Sequence, residues 1–371
     1  MNGTFQYSNP LSISWGPGAL TELAATIRCI EAKRVLLVST APVLDNPDLM
    51  ALFRQSLPAP PVAVAAIGSH APVSNVEHAL ELRRGSRPDL IVSLGGGGPI
   101  DAAKAVARGR MEAGRRIGAG GAGNRPDLAD QFLPHLAVPT TLSAAELSWR
   151  AGFADASGDK VGFADRRMAP TAVFYDPRLA AFTPLALWLS TGVRAVDHAV
   201  EGFLAPGCHP FSDVLAVEAI ARLDGALRAS AAAPGDLDSR ARAQVGAWFS
   251  YTLPLASMTG LSHQMGKQIG ARHGIGHGDT SALLIDHVMR YRARHDPGRH
   301  RELGQALDRR LGDGRQVDAA DRIEELVVAL GLPRHAAAFG VTALDLATAA
   351  SQIATEQYPA SELAEVYREA L

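Results

Sequence analysis

Leu90-Ile91-Val92-Ser93-Leu94-Gly95-Gly96-Gly97-Gly98-Pro99-Ile100-Asp101-Ala102-Ala103-Lys104 leads from an apolar run through four glycines into a helical pattern. A continuous apolar run of this length suits a strand covered on both faces. Glycine permits positive φ and lets a backbone come close to a ligand. Free N–H groups at the start of the following helix suit an anion such as pyrophosphate, and Asp101 falls in the first turn, where the helix dipole favours negative charge. The spacing is neither the dinucleotide G-x-G-x-x-G nor the P-loop with its terminal Lys-Ser/Thr. Glycine content alone fits a tight turn as well as a phosphate site; the strand before and the helix after favour phosphate.

Similar apolar runs lie on either side, at residues 34–39, 62–67, 136–139 and 172–175, with helical patterns at 19–30, 74–84 and 101–108. Strand–helix–strand alternation points to a parallel sheet in an α/β layer. Beyond Asp176-Pro177 the strand signal stops. Helical patterns follow at 184–204, 212–231, 237–253, 261–270, 280–291, 299–311, 319–330 and 343–350, broken by Pro206-Gly207, Pro234-Gly235 and the glycine and proline clusters at 312–314 and 331–333. The expected organisation is an α/β dinucleotide-binding domain over residues 1–177 and an all-α substrate and catalytic domain over 178–371. The glycine tract at 118–123 reads as a mobile loop, with a lid as its functional alternative.

A chain of 371 residues, 47% apolar and 20% charged, has ample core material for about two domains. The net charge of −2 gives no electrostatic case for nucleic acid. No apolar run reaches the ~20 residues of a membrane span, and the first residues lack a secretory pattern. Two cysteines, Cys29 and Cys208, build neither a disulfide framework nor a cysteine zinc site. A cytoplasmic enzyme is the expectation.

Pro139-Thr140-Thr141 follows an apolar run, and two threonines at a strand exit can hydrogen-bond a ribose or an amide. Taken alone, a strand exit followed by a helix cap explains them better. Ser39 ends the second apolar run, where an acidic residue would hold a ribose 2′-hydroxyl and exclude a 2′-phosphate. Serine excludes neither NADH nor NADPH. In the helical half, Arg194 and His198 are four apart, as are His263 and Lys267, so each pair shares a helix face. Glu201 lies three residues after His198, and His277 follows a glycine-broken stretch. Imidazoles on separate helices can converge on a metal or serve as general acids. Singly, each is more often a surface or core histidine; as a set they are informative.

Together these residues resemble the iron-containing (group III) alcohol dehydrogenase family, and within it the maleylacetate reductase branch. The likeness covers nearly the whole chain. Phe5-x-Tyr7 and Ile13-Ser14-Trp15-Gly16-Pro17-Gly18 resemble the family's opening strands and turn, and Ser69-His70-Ala71-Pro72-Val73 a short reductase motif. Gly95, Gly96, Gly97, Gly98, Asp101 and Lys104 match the pyrophosphate loop, with Gly98 where serine is usual. Thr140 and Thr141 match the nicotinamide-side loop, whose length up to Glu146 is that of the reductases. Gly192-Val193-Arg194-Ala195-Val196-Asp197-His198-Ala199-Val200-Glu201-Gly202 matches the metal-helix motif, and 263–267 and 277–287 complete the match. The resemblance implies a dehydroquinate synthase-like fold, an active site between the two domains, a homodimer, and hydride transfer from NADH or NADPH to a carbonyl or activated enoate. In the reductase branch that reaction takes maleylacetate to 3-oxoadipate, in aromatic catabolism.

The departures shape the mechanism. Metal-dependent members hold iron or zinc with one aspartate and three histidines. The histidine positions match His198, His263 and His277, but the aspartate position is Arg194, and the histidine usual at 267 is Lys267. A guanidinium stays charged and cannot ligate a metal. A +2 and a +1 charge about 4 Å apart repel by roughly 8 kcal/mol at an effective dielectric near 20. A metal-free site is therefore expected, with Arg194 and Lys267 stabilising charge on an acidic substrate or clamping its carboxylate, and a histidine giving the proton. Four alternatives stay open: ion pairs of the cations with Asp197 or Glu201 that only hold helices together, a metal-dependent alcohol dehydrogenase, a non-redox lyase or isomerase on the same fold, and a non-catalytic ligand-binding protein.

Overall fold

The computed structural model describes residues 10–111, 132–157, 160–205, 210–251 and 260–371. The glycine tract at 118–123, Phe5 and Tyr7, the Pro206-Gly207 break and Cys208 lie outside them. The described residues form two compact units that divide between Thr183 and Pro184, six residues beyond the boundary read from the sequence. The strand that ends at Tyr175 is followed by one more short helix before the first unit ends.

The first unit holds strands β1 (Ser12–Trp15), β2 (Val35–Ser39), β3 (Ala63–Ala66), β4 (Leu90–Gly95), β5 (His135–Pro139), β6 (Arg150–Ala154), β7 (Lys160–Ala164) and β8 (Ala172–Tyr175). Its helices are α1 (Thr21–Cys29), α2 (Ala41–Leu44), α3 (Pro47–Arg54), α4 (Val73–Ser86), α5 (Gly97–Arg108) and α6 (Pro177–Ala180). Six strands make one parallel sheet in the order β1-β8-β5-β4-β2-β3. β2, β4, β5 and β8 are buried at every position, which is why their sequences read as unbroken apolar runs.

The strand period of two divides those runs between two cores. Leu36, Val38 and Ile91 pack with Val76 and Ala79 of α4 and the alanines of α5. Val35, Leu37, Leu90, Val92 and Leu94 pack on the other face with Leu23 and Ile27 of α1 and Leu49, Met50 and Phe53 of α3. β3 and β4 lie on opposite sides of β2, so the strand order reverses between β2 and β4. The carboxyl ends of the strands at such a point form the usual ligand crevice of an open α/β sheet. Here those ends are Ser39 and the glycine loop.

Two features of this unit were not read from the sequence. The pair β6–β7 is antiparallel and covers α5, with Phe153 and Phe163 in the same core. α3 was missed although Asn46 caps it, its side chain accepting from Leu49 N, and Pro47 stands at its first position.

The second unit is helical: α7 (Leu185–Phe203), α8 (Pro210–Ala232), α9 (Leu237–Ser250), α10 (Leu261–His273), α11 (His277–His295), α12 (Pro297–Leu311), α13 (Ala319–Ala329), α14 (Ala343–Ile353) and α15 (Ala360–Glu369). α15 is additional to the sequence reading; Leu363, Val366 and Tyr367 bury it against α10, α11 and α14. α7 is the central helix, buried from Trp188 through most of its length. A helix buried on all sides sits in the heart of its domain, so polar residues on it need partners. Among the described residues no helix is long and apolar enough to cross a membrane.

Candidate active site

The first unit supplies a glycine cradle. Gly95 has φ +139°, a backbone that side-chain-bearing residues rarely adopt. A Cβ on Gly96 would lie 3.1 Å from Thr141 Oγ1, and one on Gly97 would lie 3.3 Å from Ser143 Oγ. Gly98 has more room: the nearest atoms to its missing Cβ are Ala71 N and Gly68 O at 3.8 Å. α5 begins at Gly97 with no side chain capping its N-terminus. Thr141 Oγ1 is buried and has no hydrogen-bond partner among the described residues. An uncapped helix start beside an orphaned hydroxyl has the chemistry to receive an oxyanion. Thr140 holds the two loops together, its N–H donating to Gly95 O at 2.9 Å and its carbonyl accepting from Thr183 Oγ1 at 2.7 Å.

Three residues expected to touch the cofactor are engaged with protein instead. Lys104 is fully buried, and its ammonium donates to Asp101 Oδ1 (3.0 Å), Ala145 O (2.7 Å) and Arg150 O (2.6 Å). An ammonium has three donors, so none is left for a phosphate. Asp101 Oδ2 accepts from Gly152 N at 3.0 Å. Asp101 and Lys104 thus brace α5 against β6 and the Ser143–Arg150 stretch. Ser39 is also buried, and its hydroxyl donates to Leu94 O at 2.7 Å, tying β2 to β4 at the crevice.

Glu146 was used in the sequence only to mark a loop length, and the structure gives it more. Its carboxyl is fully buried and accepts from Tyr175 Oη at 2.7 Å. Burial pushes its pKa up, against the pull of Tyr175 and Lys104. The carboxyl anchors the loop that carries Thr140 and Thr141 to the end of β8.

The second unit gathers a separate cluster on α7, α10 and α11. Arg194, Asp197, His198 and Glu201 come from consecutive turns of α7, and Ser262, His263 and Lys267 from α10. His277 and Ser281 come from the first turns of α11. The α7–α11 approach is close because Gly278 has no side chain: a Cβ there would sit 2.4 Å from the backbone C and O of Ser190. Arg194 Nη1 donates to Ser281 Oγ at 3.0 Å and lies 3.6 Å from Asp197 Oδ2. That oxygen also accepts from Ser281 Oγ (2.6 Å) and Ser262 Oγ (3.0 Å). Glu201 accepts from Gly260 N at 3.0 Å and His263 N at 3.3 Å. The His263 ring stacks obliquely on His198 with centroids 4.9 Å apart, and Tyr251 meets His198 edge-on at 5.1 Å.

Burial sets the charges. It drives the pKa values of His198 and His263 well below the ordinary value, reinforced at His263 by Arg194 and Lys267 and at His198 by His263, Arg194 and His277. Both imidazoles are neutral at pH 7. Burial pushes the Asp197 and Glu201 carboxyls up, while the Arg194 guanidinium pulls each of them back. The structure therefore brings Arg194, His198 and His263 together, with Lys267 and His277 near enough to act on those imidazoles. Asp197 and Glu201 entered the sequence reading only as possible ion-pair partners. Ser262 and Ser281 did not enter it, because a serine within a helical pattern carries no local signal.

Asp197, Glu201 and His263 present ligand atoms all within 4.8 Å of one another, the one such group among the described residues. The set fits a divalent ion poorly. Glu201 Oε2 and His263 Nδ1 touch more closely than the roughly 3.3 Å between two ligands of a tetrahedral ion. Asp197 Oδ2 and both Glu201 oxygens already accept hydrogens from protein donors. A guanidinium stands one turn before His198, where the resemblance places an aspartate ligand.

Comparison with known proteins agrees with the two-part fold. The iron-containing alcohol dehydrogenase family matches residues 10–177, and the C-terminal part of the Fe-containing alcohol dehydrogenase family matches residues 188–371. A maleylacetate reductase of Pseudomonas aeruginosa is 31% identical over 313 residues, covering 83% of this chain and 80% of that protein. A maleylacetate reductase of Pseudomonas sp. (strain P51) is 27% identical over 351 residues, covering 94% and 90%. The crystal structure of maleylacetate reductase from Rhizobium sp. strain MTP-10005 superposes with a TM-score of 0.80 at 25% identity, covering 100% of this chain and 99% of that one. A parallel sheet with its glycine loop at the strand-order reversal, joined to a helical unit carrying the histidine cluster, places the chain in the iron-containing alcohol dehydrogenase family, as an NAD(P)-dependent oxidoreductase.

Proposed function

We propose that the chain is a metal-independent reductase of an acidic oxo or enoate substrate, using NADH or NADPH and resembling maleylacetate reductase in its reaction. The observation that carries the reading is Arg194, a buried guanidinium among neutral imidazoles where metal-dependent relatives would hold an aspartate ligand. In a dry cluster a fixed cation stabilises developing negative charge without reorganising. It also clamps a carboxylate in a fork geometry. Lys267, half-buried on α10, adds a second positive charge. The reduced nicotinamide supplies the hydride when bound. The glycine cradle, the start of α5 and Thr141 hold the pyrophosphate and its neighbours, with Asp101, Lys104, Ser39 and Glu146 keeping the loops in place. A neutral imidazole then donates the proton that completes reduction.

Elemental analysis combined with turnover on a panel of oxo and enoate acids tests this. The protein should carry well below one equivalent of iron or zinc, and nicotinamide oxidation should survive chelator. A stoichiometric metal with activity lost on chelation would overturn the reading in favour of a metal site built on Asp197, Glu201 and His263. The cofactor half has its own test. A Val side chain at position 97 starts 3.3 Å from Ser143 Oγ and fills the cradle. Gly97→Val should weaken NADH or NADPH binding at least about tenfold in calorimetry, leaving the melting of the helical unit unchanged. Unchanged affinity would remove the glycine loop from cofactor binding.

A further inference from the structure

Arg194 is buried, with 9% of its surface exposed, yet among the described residues its guanidinium makes a single hydrogen bond, from Nη1 to Ser281 Oγ at 3.0 Å. A guanidinium carries five N–H donors, and a carboxylate beside it ordinarily closes a direct contact, often with two prongs. Asp197, three residues on and fully buried, does not close: its Oδ2 stays 3.6 Å from Nη1, beyond hydrogen-bond length. The Ser281 hydroxyl fills the gap. Arginine has no acceptor, so Ser281 Oγ accepts from Nη1 and its own hydrogen goes to Asp197 Oδ2 at 2.6 Å. Ser262 Oγ donates to the same oxygen at 3.0 Å. One carboxyl oxygen thus gathers α7, α10 and α11, and it is filled by two hydroxyls rather than by the guanidinium.

The backbone fixes where that hydroxyl stands. Gly278 lies one turn earlier on the same face of α11, and its missing Cβ would meet Ser190 C and O of α7 at 2.4 Å. Ser281 therefore cannot drift toward or away from Arg194 unless a helix moves. With Nη1 engaged, the Nε–Nη2 edge of the guanidinium has no acceptor among the described residues. Its two parallel N–H bonds match the two oxygens of a carboxylate.

We propose that Ser281 is a positioning residue that acts through Arg194: its hydroxyl spaces the guanidinium from Asp197 and so keeps the Nε–Nη2 edge open to receive a substrate carboxylate. This rests on the reductase reading above and names the group that the cation holds. Asp197 faces the cation without occupying its fork, so the fork is preorganised yet vacant of protein acceptors. When an enoate takes hydride at one carbon, the electron pair left on the adjacent carbon spreads into the carboxylate until that carbon takes its proton. The contact with Arg194 therefore tightens in the transition state, and its loss is felt in kcat as well as in binding.

Ser281→Ala is the test, with Ser281→Thr beside it. Without the hydroxyl, Nη1 closes on Asp197 Oδ2 to a charge-assisted distance of about 2.8 Å, and a binding fork tolerates a displacement of only about 0.5 Å. Succinate, a dicarboxylate with no oxo group or C=C for hydride to attack, is the probe. Calorimetry should show Ser281→Ala binding succinate at least about tenfold more weakly than the wild type. Its melting temperature should be equal or higher, because a direct ion pair replaces a spaced one. Ser281→Thr keeps the hydroxyl and should keep the affinity. Arg194→Met should lose it, and adding Ser281→Ala to Arg194→Met should weaken binding no further, as expected of a residue that acts only through the other. On an oxo or enoate acid that the wild type reduces, Ser281→Ala should lower kcat/KM at least about tenfold and Ser281→Thr should restore it. Unchanged succinate affinity in Ser281→Ala, or a wild type that binds no succinate at millimolar concentration, overturns the proposal. So does a melting temperature that falls together with the affinity, the mark of a hydroxyl that only holds helices in place. A wild type that turns over no oxo or enoate acid, while its succinate binding follows Ser281 and Arg194 as above, discards the reductase reading and keeps the fork. Reduction of such acids with succinate binding indifferent to both residues keeps the reading and discards the fork.

Discussion

Arg194→Met is expected to lower kcat by about 10²–10³, the usual loss when a preorganised charge-stabilising group is removed. The guanidinium is held on α7 by Ser281 of α11 at 3.0 Å and lies 3.6 Å from Asp197. That geometry separates two roles that a single substitution would confuse. Removing the cation leaves Asp197 buried opposite no charge, and breaking a buried pair from one side commonly costs about 3–5 kcal/mol. The hydroxyls of Ser262 and Ser281 offset part of this. Arg194→Met should therefore melt earlier as well as turn over slowly. Adding Asp197→Asn removes the stranded charge, so the double variant should recover stability and remain slow. If turnover recovers with stability, Arg194 is a structural ion pair and nothing more. A rise in KM for acidic substrates with kcat intact would make it a carboxylate clamp that acts equally in ground and transition states. Lys267→Met should follow the kinetic pattern of Arg194→Met.

The largest stability effect is expected at Gly278. A Cβ there would lie 2.4 Å from the backbone C and O of Ser190 and 2.8 Å from Thr191 N. These are main-chain atoms, so no rotamer change relieves the clash. α7 and α11 must separate by roughly half an ångström or more before even Ala fits, and overpacking of this kind costs about 3 kcal/mol or more. The same separation pulls Ser281 away from Arg194 and Asp197, so activity should fall with stability. Gly225→Ala on α8 is the matched control. It sits in a helix with nothing within 4 Å of its missing Cβ, and should be neutral or stabilising by about 0.5–1 kcal/mol. Denaturant unfolding of the two variants side by side decides it: equal midpoints would mean that α7 and α11 can repack, and that their spacing does not hold the cluster.

The parallel sheet was legible in the chain because its central strands are buried on both faces, which leaves a mark on every residue: β2, β4, β5 and β8 read as unbroken apolar runs. The helical half was legible through periodicity and glycine breaks. The glycine loop and the Arg194–His198 and His263–Lys267 pairs were legible because each is local, a tight turn or one helical turn, and local geometry follows from spacing alone. β6 and β7 were not, since Gly152 and Gly162 interrupt the alternation that marks a half-buried strand. The role of Lys104 was not either: its partners Ala145 O and Arg150 O lie 41 and 46 residues away, and a lysine after a glycine loop looks the same whether it binds phosphate or braces a hairpin. The links Asp197–Ser262 and Asp197–Ser281 span 65 and 84 residues. By itself the sequence determined the strand and helix menu and the residue types that could do chemistry, because those depend on neighbours along the chain. Only the tertiary structure decided which polar groups are spent on one another and which remain to act, because a buried hydrogen bond is chosen by what lies beside it in space.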